Sequence, residues 1–367
     1  MRQKILFIAP IPPPITGHAI VSLALLEELK KSTLVNVVNL SKESLKDGIT
    51  GVKRFIEIAI LFIRTFKLCK SSDTIYLTIS ESLAGNLKDL VFYVICYGKL
   101  PSMFIHLHGG SIRKLLWEKH PLVFRLNKFF LRKLAGVIIS GESHFSIFND
   151  FLPLEKIKIV NNFADESLFV KLDIIEKKFN SSEIIEILYV GGLIELKGYF
   201  ELALGFLLLT EESKRNIRLS FAGKFESDEA KTNFLKLIAK DDRISYHGIV
   251  DADTKKSLFE SAHVFCLPTE YLEGQPISIL EAYASGCVVI TTPKPGIFDI
   301  FEDRKNGFLV EERTPDALQI GLDLIIEKRD QLLEIALHNN RIACSNFTKD
   351  KYTDNLKRLI INHSRIY

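Results

Sequence analysis

The chain holds only five cysteines, Cys69, Cys96, Cys266, Cys287 and Cys344, scattered and never spaced as Cys-x-x-Cys. An odd, dispersed set argues against a disulfide framework and a cysteine zinc site, and for a reducing, cytoplasmic setting. Long apolar runs are also missing. No stretch approaches the roughly 18 uninterrupted apolar residues that span a bilayer, and the nearest, Phe55–Leu68, is broken by Glu57 and Arg64. The opening Met1-Arg2-Gln3-Lys4 and Ile5–Ala9 imitates a signal peptide, but the apolar run is short and stops at Pro10, Pro12, Pro13 and Pro14; it reads as a buried strand. Glycine and proline total 32, too few for a low-complexity chain. Dense Arg/Lys blocks are absent, so no nucleic-acid partner is expected. No motif supports a Ser-His-Asp or Cys-His nucleophile, and no 20–50-residue repeat is present.

What is there fits a soluble globular protein of two domains: 367 residues, 47% apolar and 25% charged. The net charge of +3 hides an asymmetry. Residues 1–170 carry 22 Lys+Arg against 14 Asp+Glu, and the remainder 26 against 31. A basic N-terminal half suits anionic lipid or a phosphorylated ligand. Short β-branched runs alternate with amphipathic helices in two series. The first has strands at Lys4–Ala9, Val35–Leu40, Thr74–Thr78, Met103–His108, Gly136–Ser140 and Lys158–Val160. The second has Ile185–Val190, Arg218–Ala222, Ile244–His247, Val264–Leu267, Val288–Thr291 and Gly307–Val310. Such alternation means parallel sheets with helices on both faces. We therefore expect an α/β chain of two doubly wound, Rossmann-like domains, 1–171 and 184–347, joined by the polar stretch Leu172–Glu183. Ligands bind at the carboxyl ends of strands in such sheets, so two facing sheets imply a cleft. A helix at about 348–367 is expected to pack back on the first domain.

The most informative stretch is Glu273-Gly274-Gln275-Pro276-Ile277-Ser278-Ile279-Leu280-Glu281-Ala282. Gly274 admits close approach of a ligand, and Pro276 suits a first helical turn. The amides that follow have no intrahelical partner and make an anion site. One carboxylate lies in the loop and one in the helix. Amides for a phosphate and carboxylates for hydroxyls together suit a nucleoside diphosphate sugar. The bland alternative is a turn glutamate and an ordinary helical glutamate near a positive helix end. In Tyr189–Gly198 a strand ends in Gly191 and Gly192, and Lys197 follows. Glycines admit phosphate and lysine supplies a point charge; otherwise Lys197 is a surface loop lysine.

Two further loops belong to the N-terminal series. Pro12-Pro13-Pro14-Ile15-Thr16-Gly17-His18 joins the first strand to a helix, and Gly17 suits approach to a diphosphate or an acceptor, or a plain turn. His106 and His108 alternate on a strand ahead of Gly109-Gly110, with Arg113 in reach of a phosphate. His-x-His can bind metal, but no cysteine or acidic cluster accompanies it; buried histidines satisfied by backbone are the alternative. Asp251-Ala252-Asp253 is read as a helix N-cap, not a metal motif. Leu122–Leu134 mixes aromatic and basic residues at helical spacing. It suits either anionic lipid or a helix packing its aromatic face on the sheet with its cations solvated.

Pro268–Glu281 with Gly286 and Asn306-Gly307-Phe308-Leu309-Val310 resembles the donor domain of family 4 glycosyltransferases, which have the GT-B fold. Their pattern is Pro-Ser/Thr, Glu-Gly-x-Pro, a helix ending Glu-Ala-x-Ala-x-Gly, then Asn-Gly-Leu-Leu-Val. The resemblance covers most of residues 185–330 and, more loosely, the N-terminal half. It implies that Glu281 holds the ribose hydroxyls, that Glu273 lies by the transferred sugar, and that amides around Gln275, Pro276, Ile277 and Ser278 contact sugar and distal phosphate. It puts the base near His247–Val250, with Ile249 among the backbone contacts. It assigns Lys197 with Gly191 to the diphosphate and His108 to a sugar hydroxyl, and suggests His18 for the acceptor. The family's Gly-Arg-Leu-x-x-x-Lys-Gly has an arginine where this chain has Gly192, which leaves one fixed cation fewer.

The implied activity is a retaining, metal-independent transfer of a hexosyl or N-acetylhexosaminyl group from a UDP- or GDP-sugar to an acceptor hydroxyl. The resemblance and the basic half point to a lipid-linked saccharide of capsule or O-antigen assembly, met at the inner face of the plasma membrane. Catalytic roles fall to Glu273, His108 and Lys197. Donor binding falls to Glu281, Gly191, Gly192, Gly17, Gly274, Gln275, Pro276, Ile277 and Ile249, with no cofactor or metal. Two rivals stand beside this: a nucleotide-sugar epimerase on the same fold, which needs no acceptor, and a non-catalytic donor-binding homologue, which Gly192 favours.

Overall fold

The structure, a computed structural model, describes residues 2–14, 16–41, 52–181 and 183–363. The chain divides into two compact units, Met1–Asn162 with Lys349–Tyr367, and Phe163–Thr348.

The first unit holds strands β1 (Lys4–Ala9), β2 (Leu34–Asn39), β3 (Thr74–Thr78), β4 (Met103–Leu107), β5 (Gly136–Ile139) and β6 (Ile157–Ile159). They form one parallel sheet in the order β2-β1-β3-β4-β5-β6. The run order reverses between β1 and β3, so their carboxyl ends flank the crevice where open α/β sheets bind ligands. Between these strands lie α1 (Gly17–Ser32), α2 (Val52–Cys69), α3 (Leu83–Ile95) and α4 (Pro121–Leu131). Burial of β3, β4 and β5 along their whole length explains their continuous apolar runs.

The second unit opens with α5 (Leu172–Ser181) and β7 (Ile185–Val190). Then follow α6 (Tyr199–Leu208), α7 (Glu211–Arg215), β8 (Ile217–Ala222), α8 (Asp228–Ile238), β9 (Ile244–Tyr246), α9 (Ala252–Ser261) and β10 (Val264–Leu267). It ends with α10 (Ile277–Ala284), β11 (Val288–Thr291), α11 (Pro295–Phe298), β12 (Gly307–Leu309), α12 (Pro315–Glu327) and α13 (Arg329–Asn346). Its parallel sheet runs β12-β11-β10-β7-β8-β9, with the reversal between β7 and β10. The last helix, α14 (Lys349–His363), returns to the first unit. It packs on α1, where Lys357 Nζ meets Glu28 at 2.7 Å.

One expectation is overturned. Leu172–Glu183 is not a linker: Leu172–Ser181 is the helix α5, and it is locked into the second unit. Ile175 is fully buried, and Lys178 Nζ donates to the carbonyls of Ala262, Ser285 and Gly286 at 2.7–3.0 Å. Gly286, at φ +62°, ends α10 where a Cβ would overlap Ile175. The polar composition of the stretch hid an Ile175–Phe179 pair one helical turn apart.

Candidate functional site

In the second unit the loops leaving β7 and β10 meet at the reversal point. Gly198, at φ +74°, lets them touch: a Cβ there would lie 2.3 Å from the Pro268 carbonyl. Leu196 O then accepts from the amides of Glu270 at 2.7 Å and Tyr271 at 3.2 Å. Arg313 staples the same loops. Its guanidinium donates to Glu195 O at 2.7 Å, to Glu201, and to Glu270 Oε2 at 3.3 Å. On the other side, Gly296 passes so close to the Gly274 carbonyl that a Cβ would overlap it.

This stapling brings Lys197 to Glu273. Lys197 Nζ lies 2.9 Å from Glu273 Oε1, off the direction of a hydrogen bond. Charge and proximity hold the pair, and an incoming anion can compete for the lysine. The same ammonium sits 5.6 Å from the centre of the Tyr271 ring. Gly192 O accepts from Tyr189 Oη at 3.0 Å. Burial, with the Glu273 carboxylate adding to it, drives that phenol well above its ordinary pKa. A Cβ on Gly191 would meet only the Tyr189 ring, at an ordinary contact distance of 4.0 Å.

The second carboxylate is set differently. Glu281 is the fifth residue of α10 and is buried. Burial raises its pKa, and the Lys255 ammonium of α9, 2.6 Å away, opposes the shift. Pro276 stands at the N-cap, not in the first turn, and no side chain caps α10. Its opening amides are therefore left for other acceptors. Gln275 is buried beside this turn. Asp251 accepts from Thr254 N at 2.8 Å and caps α9, as its spacing predicts. Gly248, at φ +76°, turns the chain after β9 and leaves Ile249 exposed.

In the first unit, Thr16 caps α1 through Ala19 N at 3.1 Å, with Gly17 as the first helical residue. His18 then reaches the strand histidines. Its ring lies 4.5 Å from that of His108, which lies 3.9 Å from that of His106. Tyr76 Oη and His106 Nδ1 are 2.7 Å apart. Burial pushes all three imidazoles below their ordinary pKa, His106 to about 3, so they are neutral at pH 7. Nε2 of His108 is buried with no hydrogen-bond partner among the described residues. A buried polar atom left so asks for a ligand or a water. Beside this group, a cavity of about 810 Å³ occupies the β1/β3 reversal point. Pro14, Thr16, His18, Glu81 and Lys88 contribute to its wall. Glu81 itself is held by the amides of Ser111 and Ile112 at 2.6 and 2.8 Å, and Gly109 is the gap that admits its carboxylate.

One expected contact is corrected. Arg113 forks onto Asp150 with two bonds of 3.0 Å and onto the Ser146 carbonyl; it ties the turn after β4 to the segment after β5 and is not held ready for a phosphate. Lys197, Glu273, Gly191, Gly192 and Gly274 share one loop cluster, and Glu281 shares one helix with Ile277. Gly17 and His108 lie in the other unit. Lys255, Tyr271, Arg313 and Glu81 escaped the sequence reading, since each meets its partner only through tertiary folding.

The sequence profile of the family described as "Glycosyl transferases group 1" matches residues 171–341. An uncharacterised glycosyltransferase of Haemophilus influenzae is 25% identical over 256 residues, 68% of this chain and 70% of that protein. The capsular polysaccharide biosynthesis glycosyltransferase CapH of Staphylococcus aureus is 29% identical over 154 residues, 37% of this chain and 42% of that one. Among solved structures, Anabaena HepE in complex with UDP superposes with a TM-score of 0.76 at 16% identity, covering 98% of this chain and 100% of that one. Together with two six-stranded parallel sheets, these likenesses place the chain on the GT-B fold, with residues 171–341 matching the glycosyl transferases group 1 family.

Proposed function

We propose that the chain moves a sugar from a UDP-sugar to an acceptor hydroxyl with retention of configuration, in the assembly of a surface polysaccharide. The observation that carries this is the loop cluster at the β7/β10 reversal point. There an ammonium, a carboxylate, a glycine edge and an uncapped helix start converge. In the proposed complex Lys197 leaves Glu273 for the diphosphate, and amides of Ile277 and Ser278 share the charge. The departing diphosphate is stabilised by fixed donors, which commonly contributes about 3–4 kcal/mol per donor. Glu273, released from its lysine, accepts hydroxyls of the transferred sugar. Glu281, with Lys255 beside it, accepts the ribose hydroxyls.

His108 is assigned a donor-sugar hydroxyl, since its imidazole is neutral and its Nε2 unpartnered. The cavity of the first unit, about 810 Å³, is of the size that takes a small ligand, and we assign it the acceptor, a lipid-linked saccharide. Lys197 and the helix amides supply the positive charge, so no divalent metal is required and transfer survives a chelator. HepE, the UDP-bound relative in fold, supports uracil as the base, and CapH supports the polysaccharide setting. The test is a thermal-shift screen with UDP, GDP and their sugars, followed by release of nucleotide on adding a lipid-linked acceptor. A shift with UDP and release that requires acceptor supports the reading. Product formed from donor alone supports an epimerase, and a shift without any release supports a binding protein; either ends the proposal.

A further inference from the structure

We propose that the first unit docks on an anionic lipid surface through the outward faces of α2, α3 and α4. This inference rests on the membrane-borne acceptor proposed above and names the surface that brings the enzyme to it. The three helices lie side by side. Phe62 of α2 packs on Phe92 of α3 at 5.2 Å, and Tyr93 of α3 on Phe130 of α4 at 5.6 Å. Asn86 and Asn127 exchange hydrogen bonds between α3 and α4. These contacts account for the buried faces. The opposite faces of such helices are normally polar.

Here they are not. On α2, Ile56, Ile60 and Ile63 recur at helical spacing and stay more than half exposed. On α3, Leu83, Leu87, Val91 and Val94 make a second outward stripe, with Val94 60% exposed. On α4, Leu122, Leu126 and Phe129 make a third, with Leu122 69% exposed. Three parallel apolar stripes on adjacent helices form one surface of the kind that marks an interaction site. Phe55, 77% exposed at the start of α2, also lines the cavity assigned to the acceptor. The apolar surface and the cavity therefore share a border.

Charge selects the occupant. The three helices carry seven basic residues against two acidic ones. Of the acidic pair, Asp89 is buried, lies 3.4 Å from Lys88 and is pushed up to about 6 by burial. Arg64 and Lys67 flank the α2 stripe. At the far end of α4, Arg125, Lys128, Arg132 and Lys133 surround Phe129 in a depression of about 330 Å³. Lys133 Nζ stands 5.0 Å over the Phe129 ring. Apolar side chains that enter the acyl boundary, ringed by cations at headgroup level, are the composition of an interfacial anchor.

The test is co-sedimentation of the full chain with phosphatidylcholine vesicles, with and without phosphatidylglycerol, and without nucleotide or acceptor. The result therefore reads the surface alone, apart from whether sugar is transferred. Wild type is expected to bind the anionic vesicles and to release at high salt. Ile60→Asp with Ile63→Asp should weaken binding roughly tenfold or more, and Leu87→Asp with Val94→Asp likewise. Arg64→Gln, Lys67→Gln and Arg125→Gln should each cost about fivefold, the factor for one surface cation. Circular dichroism confirms folding, and the exposed charge variants remain interpretable if an apolar one fails to fold. The inference is overturned if wild type stays in the supernatant with anionic vesicles, or if folded variants sediment like wild type. It is equally overturned if light scattering finds a dimer that the Ile60/Ile63 variant dissociates, since a second copy would then own this face.

Discussion

Replacing Lys255 by methionine isolates the electrostatic demand of the buried Glu281. Lys255 Nζ is 2.6 Å from Glu281 Oε1, and Glu281 is 5% exposed. Methionine keeps most of the stem and removes the charge. Breaking a buried pair from one side commonly costs about 3–5 kcal/mol. Here the loss has a ceiling, because the stranded carboxyl can take up a proton. From its ordinary value of 4.5, protonation costs about 3 kcal/mol at pH 7 and under about 1 kcal/mol at pH 5. The sign follows from linkage. Burial already raises the folded pKa of Glu281, and losing Lys255 raises it further. The native state then holds a proton that the unfolded state has released, so stability falls as pH rises above about 4.5. Hydrogen exchange of the α10 amides reads this locally, corrected for intrinsic rates. The Lys255→Met protein should exchange on the order of 100-fold faster than wild type at pH 7 and within about fivefold of it at pH 5. Adding Glu281→Gln should recover most of the difference. A loss of the same size at both pH values, or none at pH 7, would refute the argument.

Three other outcomes follow from the same geometry. Glu273→Ala should lower the rate of sugar transfer by about 100-fold with an unchanged circular dichroism spectrum; unchanged turnover removes that residue from the site. Gly296→Ala places a Cβ on the Gly274 carbonyl and so pushes the Glu273 loop away; a drop of several degrees in melting temperature and weaker UDP binding are expected, and a silent substitution would show that the loop yields freely. Burial holds His106 at about 3 in the folded state, so its contribution to stability is present above the unfolded value near 6.5 and is lost as pH falls below it. Exchange protection in β4 should drop by about 2 kcal/mol on account of His106 between pH 7 and pH 5, and His106→Gln should remove that share of the slope.

Much of the fold was legible because parallel strands buried on both faces leave dense β-branched runs. All twelve expected strands are present among the described residues, most displaced by no more than one residue at an end. The exception in organisation, α5, shows what composition conceals: two apolar residues one turn apart outweigh a polar majority when Gly286 makes room for one of them. For the site, Gly-rich strand ends and a Glu-Gly-x-Pro turn have local causes, and local causes are readable. Pairings across the sheet are not. Lys255 and Glu281 are 26 positions apart, and Arg313 and Glu195 are 118 apart. Only the reversal of strand order at β7 and β10 brings the Lys197 and Glu273 loops together. The outward apolar stripes of α2 and α3 were hidden for a related reason, whereas Leu122–Leu134, which includes most of α4, could be read either as lipid-facing or as packed on the sheet. In sequence such stripes resemble core faces, and only packing shows which face each helix buries.

The central claim is that the Lys197 loop and the start of α10 hold a nucleoside diphosphate. Calorimetric titration of UDP into wild type and into Lys197→Met tests it most directly. The account predicts saturable binding to wild type and a 10- to 100-fold weaker constant in the variant, about 1.4–2.8 kcal/mol. Equal affinity in the two proteins, or no heat with wild type, would contradict it.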